Sequence, residues 1–210
     1  MGVDLKTSTK QQSSLTVVDS DSYLTFIGSF SDDQGLFEVA QRFNPQFIAI
    51  GSPLSLPTGL CCLEPTCDCR MESPDRKGRQ AELELARMGI SCFFTNKGSI
   101  IRKLVYRAVA LNQELSELGH RLIEVYPHAT KVVLFGDKVP SKNRPESLLF
   151  MKERLPNLID GLDPYMDVLD RSSCDALMNA HTAMLHAREE TDLVGSDSEG
   201  FIALPKLVRI

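Results

Sequence analysis

The chain has 210 residues, of which 42% are apolar and 24% charged, and its formal net charge is −5. That is one globular domain with enough apolar residues for a sizeable core, and an acidic balance that argues against indiscriminate nucleic-acid binding. No apolar run approaches the roughly 20 residues of a membrane span, and the opening MGVDLKTSTKQQSS is too polar for a signal peptide, so the expectation is a cytoplasmic protein with no membrane attachment and with reduced thiols.

In chain order, GVDL is a short apolar start. SSLTVVDS and SYLTFIGSF are β-rich runs separated by Asp/Ser turn residues, which together predict a three-stranded antiparallel meander. DDQGLFEVAQRFN reads as a helix with acids in its first turn, and PQFIAIGSPL as a strand covered on both faces. A cysteine-bearing loop, residues 59–78, interrupts the pattern. A helix follows over Arg79–Met88, closed by Gly89. ISCFFT is a short strand or extended segment. Residues 99–118 keep helical spacing through Ile101, Leu104, Val105, Ala108, Leu111, Leu115 and Leu118. RLIEVYP is the next strand, and a proline-punctuated region with one or two helices leads to a last helix, SSCDALMNAHTAMLHAREE, with Ser172 or Ser173 as N-cap. The tail GFIALPKLVRI is a candidate edge strand. The sum is a single domain, 1–210, of the α/β class: a mixed sheet, antiparallel at its start and parallel later, flanked by helices.

Carboxylates inside such strands need a reason, because a buried charge is costly unless it is paired or bound to a metal. Asp4 lies between Val3 and Leu5, and Glu124 inside LIEVY. An ion pair explains Glu124 as well as a metal does, and a solvated terminus explains Asp4. Asp175 opens the last helix, where the helix dipole alone accounts for an acid. It also begins a polar stripe, Asp175, Asn179, Thr182 and His186, beside a small-residue stripe of Ala176, Ala180, Ala183 and Ala187 that lets the helix approach a sheet. Three convergent carboxylates suit a hard cation, Mg²⁺ or Mn²⁺, and two such ions activate water for phosphodiester cleavage.

GVDL, IAIGSPLSLPTGL, AELELARMGI, FFTNKGS, IEVYPHATKVVLFG and DALMNAHTAMLHA occur in one order. Together they resemble the family called domain of unknown function 429, whose members are described as predicted nucleases with an RNase H-like fold. The resemblance runs from Gly2 to about Pro205. It implies that fold, nucleic acid as partner, and an acidic site in which Asp4, Glu124 and Asp175 are the catalytic metal ligands. It also marks a departure: where members of the family commonly carry Asp, in AIDAPLSLP-like segments, this chain has Gly51. Either the three remaining carboxylates suffice, or this branch is a non-catalytic nucleic-acid- or protein-binding module.

Cys61, Cys62, Cys67 and Cys69 give C-C-x4-C-x-C, which is not the paired-knuckle spacing of a zinc finger. Because adjacent cysteines rarely both ligate one ion well, Cys62, Cys67 and Cys69 form the expected set, with Cys61, Cys92 or a histidine as fourth ligand. Thiolates would select zinc or an iron–sulfur cluster; free cysteines on a loop, or a disulfide switch, are the alternatives. Cys92 beside two phenylalanines reads as core, and Cys174 as a small residue at a helix start.

The stretch from Arg70 to Arg107 holds nine Lys/Arg against four Asp/Glu, a local charge of +5. Within it Lys97, Arg102 and Lys103 are candidate phosphate contacts, with plain helix solvation as the alternative. His128, after the Glu124 strand, is either a proton shuttle or a surface histidine.

Overall fold

The computed structural model describes residues 1–8, 10–141 and 144–206. Among them, seven strands form one sheet and six α-helices flank it. The strands are β1 (Gly2–Asp4), β2 (Ser13–Val18), β3 (Leu24–Phe30), β4 (Ile48–Ile50), β5 (Leu122–Val125), β6 (Thr191–Ser196) and β7 (Gly200–Pro205). The helices are α1 (Asp33–Phe43), α2 (Gln80–Arg87), α3 (Arg102–Glu117), α4 (Pro127–Phe135), α5 (Glu146–Arg154) and α6 (Arg171–Ala187). The sheet order is β3-β2-β1-β4-β5-β7-β6. β1, β2 and β3 pair antiparallel, while β1, β4, β5 and β7 run parallel. The predicted meander running into a parallel sheet is what forms.

Each face of the sheet is closed by its own helices. On one side Leu36 and Ala40 of α1 and Ala108, Leu111 and Leu115 of α3 join Val3, Leu15, Ile48 and Ile50 in a common core. On the other side α6 lies across β1 and β2 with its alanine stripe inward, and Ala176, Ala180 and Ala183 are all buried. The approach is so close that a Cβ on Gly2 would stand 2.2 Å from the Ala176 carbonyl oxygen. Only glycine fits there, and the small residues of α6 supply the other half of the contact.

Two elements depart from expectation. The tail strand β7 is internal, and the edge is β6, a segment without a clear strand signal. β6 joins β7 as an antiparallel hairpin; its Leu193 is 52% exposed, so it lacks the apolar run of a covered strand. The last four residues of the tail, 207–210, lie outside the described residues. α6 is capped by Asp170 rather than by Ser172 or Ser173. The Asp170 carboxylate accepts from the Ser173 backbone N–H at 2.8 Å, and the Ser173 hydroxyl accepts in return from the Asp170 N–H. Ser172 is thereby freed to face β1.

Candidate functional site

The parallel strands β1, β4 and β5 end along one edge of the sheet. Asp4 closes β1, Gly51 follows β4, and Glu124 sits opposite Ile50 in register. Asp175 lies one turn into α6. All three carboxylates are nine-tenths buried or more, and each is engaged by a cation.

Glu124 is held most firmly. Its Oε2 accepts from Arg79 Nη1 at 2.8 Å and from the Leu54 backbone N–H at 2.9 Å, and its Oε1 accepts from Arg79 Nη2 at 2.5 Å. Arg79 is completely buried. Its Nε donates to Glu82 Oε1 at 3.0 Å and its Nη1 to Ser55 Oγ at 3.1 Å. Burial works against the charge on Arg79, and Glu124 first, then Glu82, more than restore it, so the guanidinium is held further above its usual pKa. Glu82 also takes the Thr95 N–H at 2.7 Å. Glu199, 1% exposed, joins the same neighbourhood through Arg76 at 2.6 Å and the backbone N–H groups of Thr58 and Gln80. The ion-pair alternative for Glu124 is therefore realised.

Asp4 Oδ2 accepts from Lys6 Nζ at 2.5 Å and from the Ser172 hydroxyl at 2.6 Å. Asp175 pairs with Lys131 of α4. The rest of the polar stripe on α6 makes internal bonds: Asn179 Nδ2 donates to the Val3 carbonyl at 2.8 Å, Thr182 meets Thr130 at 3.2 Å, and His186 Nδ1 meets Thr191 at 2.8 Å. His128 stands edge-on to the Tyr126 ring. At Gly51 an added Cβ would lie 2.8 Å from Asn179 Nδ2 and 3.2 Å from Pro127 Cδ, so the asparagine occupies the space a side chain at 51 would need. Two buried polar atoms beside this glycine, Ser52 Oγ and Asn179 Oδ1, make no hydrogen bond.

The cysteines behave differently. Between Ile50 and Gln80 there is neither strand nor helix, and structureless runs of that length are uncommon in compact domains without a function or a staple. The cysteine segment is pinched at its neck, where the Glu72 N–H donates to the Thr58 carbonyl at 3.0 Å. Gly59 sits at φ +88°, with any Cβ only 2.4 Å from the Arg70 carbonyl oxygen, so the neck requires glycine. Leu60 and Leu63 plug the loop onto Val105 of α3, and the Leu63 N–H donates to the Tyr106 hydroxyl at 2.6 Å.

Inside this frame the Sγ atoms of Cys61, Cys62, Cys67 and Cys69 all lie within 4.8 Å of one another. Among the described residues no other group of three or more His, Cys, Asp or Glu side chains brings its ligand atoms that close. The fourth member of the group that could hold a metal ion is therefore Cys61, not Cys92 or a histidine. Cys92 Sγ points to the Glu82 carbonyl at 3.5 Å and burial pushes its thiol up to about 11. Cys174 is buried and pushed up to about 12. Cys61 Sγ and Cys67 Sγ are 3.6 Å apart, far beyond a disulfide bond of about 2.05 Å. They match the separation of about 3.8 Å between sulfurs at the corners of a tetrahedron with metal–sulfur bonds near 2.3 Å. The four cysteines can hold a metal ion. Hydrogen bonds from Cys67 and then Cys69 push the Cys61 thiol up to about 12, whereas the backbone bond at Cys62 holds Cys69 down to about 6.

The three candidate phosphate contacts divide. Lys97 donates to the Cys67 carbonyl and Arg102 pairs with Glu64 at 3.4 Å, so both serve the cysteine loop; Lys103 is exposed. Arg79, inside the basic stretch, is the residue sequence reasoning missed as a buried hub. The available signal was a cation at a helix start, which opposes the helix dipole and calls for carboxylate partners.

Comparison with known proteins returns no matching family model, no matching curated protein and no matching solved structure. The functional reading rests on the chemistry of these two regions.

Proposed function

We propose that this protein is a metal-stapled α/β binding module in which Cys61, Cys62, Cys67 and Cys69 hold one zinc ion. The observation that carries this reading is the convergence of four sulfurs within 4.8 Å. Soft thiolates disfavour Mg²⁺ and Mn²⁺. An iron–sulfur cluster spreads its thiolates over two or four irons, whereas these sulfurs are spaced for a single ion. Four protein ligands close a tetrahedral shell, which makes the ion structural rather than catalytic. Its work is to fix a long loop whose own core is only a few side chains, and a domain of that size rarely orders itself without a staple. Thiolate ligation needs a reducing compartment, in keeping with a cytoplasmic protein. Elemental analysis of protein purified without added metal should find one zinc per chain. Stripping it with a chelator should open the 59–78 loop to limited proteolysis. Metal-free protein with an equally resistant loop would contradict the reading.

A second reading, a Mg²⁺- or Mn²⁺-dependent nuclease, is favoured by the burial of Asp4 and Asp175 at the strand edge beside the unpartnered Asn179 Oδ1 and Ser52 Oγ. Asp4 and Asp175 would take the metal in place of the charge of Lys6 and Lys131. Glu124 would have to share itself with Arg79. Calorimetric titration with Mn²⁺ decides: heat of binding lost on Asp4→Asn supports the nuclease, and no binding to the wild type rejects it.

A further inference from the structure

The six cysteines all lie among the described residues, and of them Cys61 alone is exposed. Cys62, Cys67 and Cys69, the other members of its cluster, are half-buried. An oxidant arriving from solvent therefore meets Cys61 first. Thiols that coordinate a metal are deprotonated, so in the metal-bound cluster exposure, rather than acidity, picks the sulfur that reacts.

Its neighbours are not equally placed to answer. Cys62 follows it directly, and consecutive Cα atoms stand about 3.8 Å apart, short of the roughly 4.4–6.8 Å that a disulfide spans. Cys69 Sγ is turned to the Cys62 carbonyl oxygen at 3.7 Å. Cys67 Sγ lies 3.6 Å from Cys61 Sγ. The backbone holds the two in place: the Cys67 N–H donates to the Glu64 carbonyl at 3.2 Å, the Cys67 carbonyl accepts from Lys97 Nζ, and Leu60 and Leu63 on either side of Cys61 and Cys62 pack against Val105. Closing 3.6 Å to the roughly 2.05 Å of a disulfide needs a movement of only about 1.5 Å, which the side chains can supply while the neck at Thr58 and Glu72 stays shut.

We infer that Cys61 and Cys67 are a hydroperoxide-reactive pair, whose oxidation exchanges the metal staple for a disulfide. The Cys61 thiolate attacks one peroxide oxygen, the O–O bond breaks, and the departing oxygen takes a proton from solvent. That leaves Cys61 as a sulfenic acid. The Cys67 thiolate then attacks the Cys61 sulfur, the S–S bond forms, the S–O bond breaks, and hydroxide leaves to be protonated to water. The two sulfurs together give up two electrons, and hydrogen peroxide ends as two waters. Cys62 and Cys69 alone cannot close a four-ligand shell, so the ion departs. The inference rests on the zinc reading of these four sulfurs and adds regulation to that site: the ion stays only while the medium is reducing.

The test supplies the full chain with zinc, measures its zinc content, and then adds a modest excess of hydrogen peroxide. A chromogenic indicator follows released zinc, and peptide mapping without reductant locates the disulfide. One zinc should be released for each Cys61–Cys67 bond formed, and a phosphine reductant with added zinc should restore the starting content. Cys92→Ser should release zinc at the wild-type rate, because Cys92 lies outside the cluster. Zinc retained over reduced cysteines overturns the inference and leaves the zinc reading standing. So does release with the bond in another pair, or with Cys61 carried on to sulfinic acid and no bond to Cys67. Loss of the response in Cys92→Ser also overturns it, assigning the chemistry to Cys92. Protein that holds no zinc before the peroxide is added sinks the zinc reading and the inference together.

Discussion

The strand edge and the cysteine loop both gather side chains that ligate metals, yet they differ in how their charge is met. At the edge every carboxylate has a protein cation: Lys6 on Asp4, Arg79 on Glu124, Lys131 on Asp175. In the loop four sulfurs converge, and among the described residues no lysine or arginine nitrogen bonds any of them. Ligand-type residues whose charge is answered from within the fold act first as structure. Ligand-type residues that converge without such an answer are able to take an ion.

The sharpest way to break that contrast is to remove one ligand. Cys67→Ser should lower zinc affinity by at least about a hundredfold, since it opens a closed four-sulfur shell; a competition titration with a chromophoric chelator reads this directly. The same titration on Cys92→Ser should be unchanged, because Cys92 lies apart from the cluster, against the Glu82 carbonyl.

Next comes the hub of the edge. Arg79→Leu strands Glu82 and Glu124 as buried carboxylates without their cation, and breaking a buried pair in this way costs about 3–5 kcal/mol. Denaturant unfolding should register that loss while the zinc content stays at one. A loss below about 1 kcal/mol would mean that water reaches the network and that Glu124 is available for other work.

Gly51→Asp, the change that would restore a fourth carboxylate, meets Asn179 Nδ2 at 2.8 Å. Overpacking of this kind costs about 1–3 kcal/mol. Combining it with Asn179→Ala should recover part of the loss, a coupling that a double-mutant cycle in denaturant measures. A stabilised Gly51→Asp single variant would show that the space at 51 is not spoken for.

The most gradual effect concerns pH. Burial, then Arg188, lowers His181 from 6.5 to about 4, so it is neutral in the fold. The unfolded chain binds more protons between these values, and its contribution to stability is therefore complete above pH 6.5 and lost as pH falls towards 4. The slope is at most about 1.4 kcal/mol per pH unit. Comparing the stability–pH profile of wild type with His181→Leu isolates it: the slope in this window should flatten in the variant.

Much of the fold was legible because periodicity reports burial. The helix over 99–118 and the apolar strand FIAI announce themselves by their own residues, and the alanine stripe of α6 signalled a close approach to the sheet, which β1 and β2 receive. β6 was not legible, since a half-exposed edge strand has no apolar run and gains its identity only from pairing with β7. At the site, residue type was readable and partnership was not. Nothing local says that Arg79 reaches Glu124 across 45 positions, or that Lys131 reaches Asp175. Cys61 was one of three candidates for the fourth position, and its sequence neighbour Cys62 argued against it; the turn at Glu64–Cys67 brings the chain back so that all four sulfurs lie together.

The most direct test of the central claim is the metal-to-protein ratio of protein purified under reducing conditions, set beside that of Cys61→Ser. The account predicts one zinc per chain in the wild type and less than stoichiometric zinc in the variant. No metal in the wild type, or iron in multiples per chain, would contradict it.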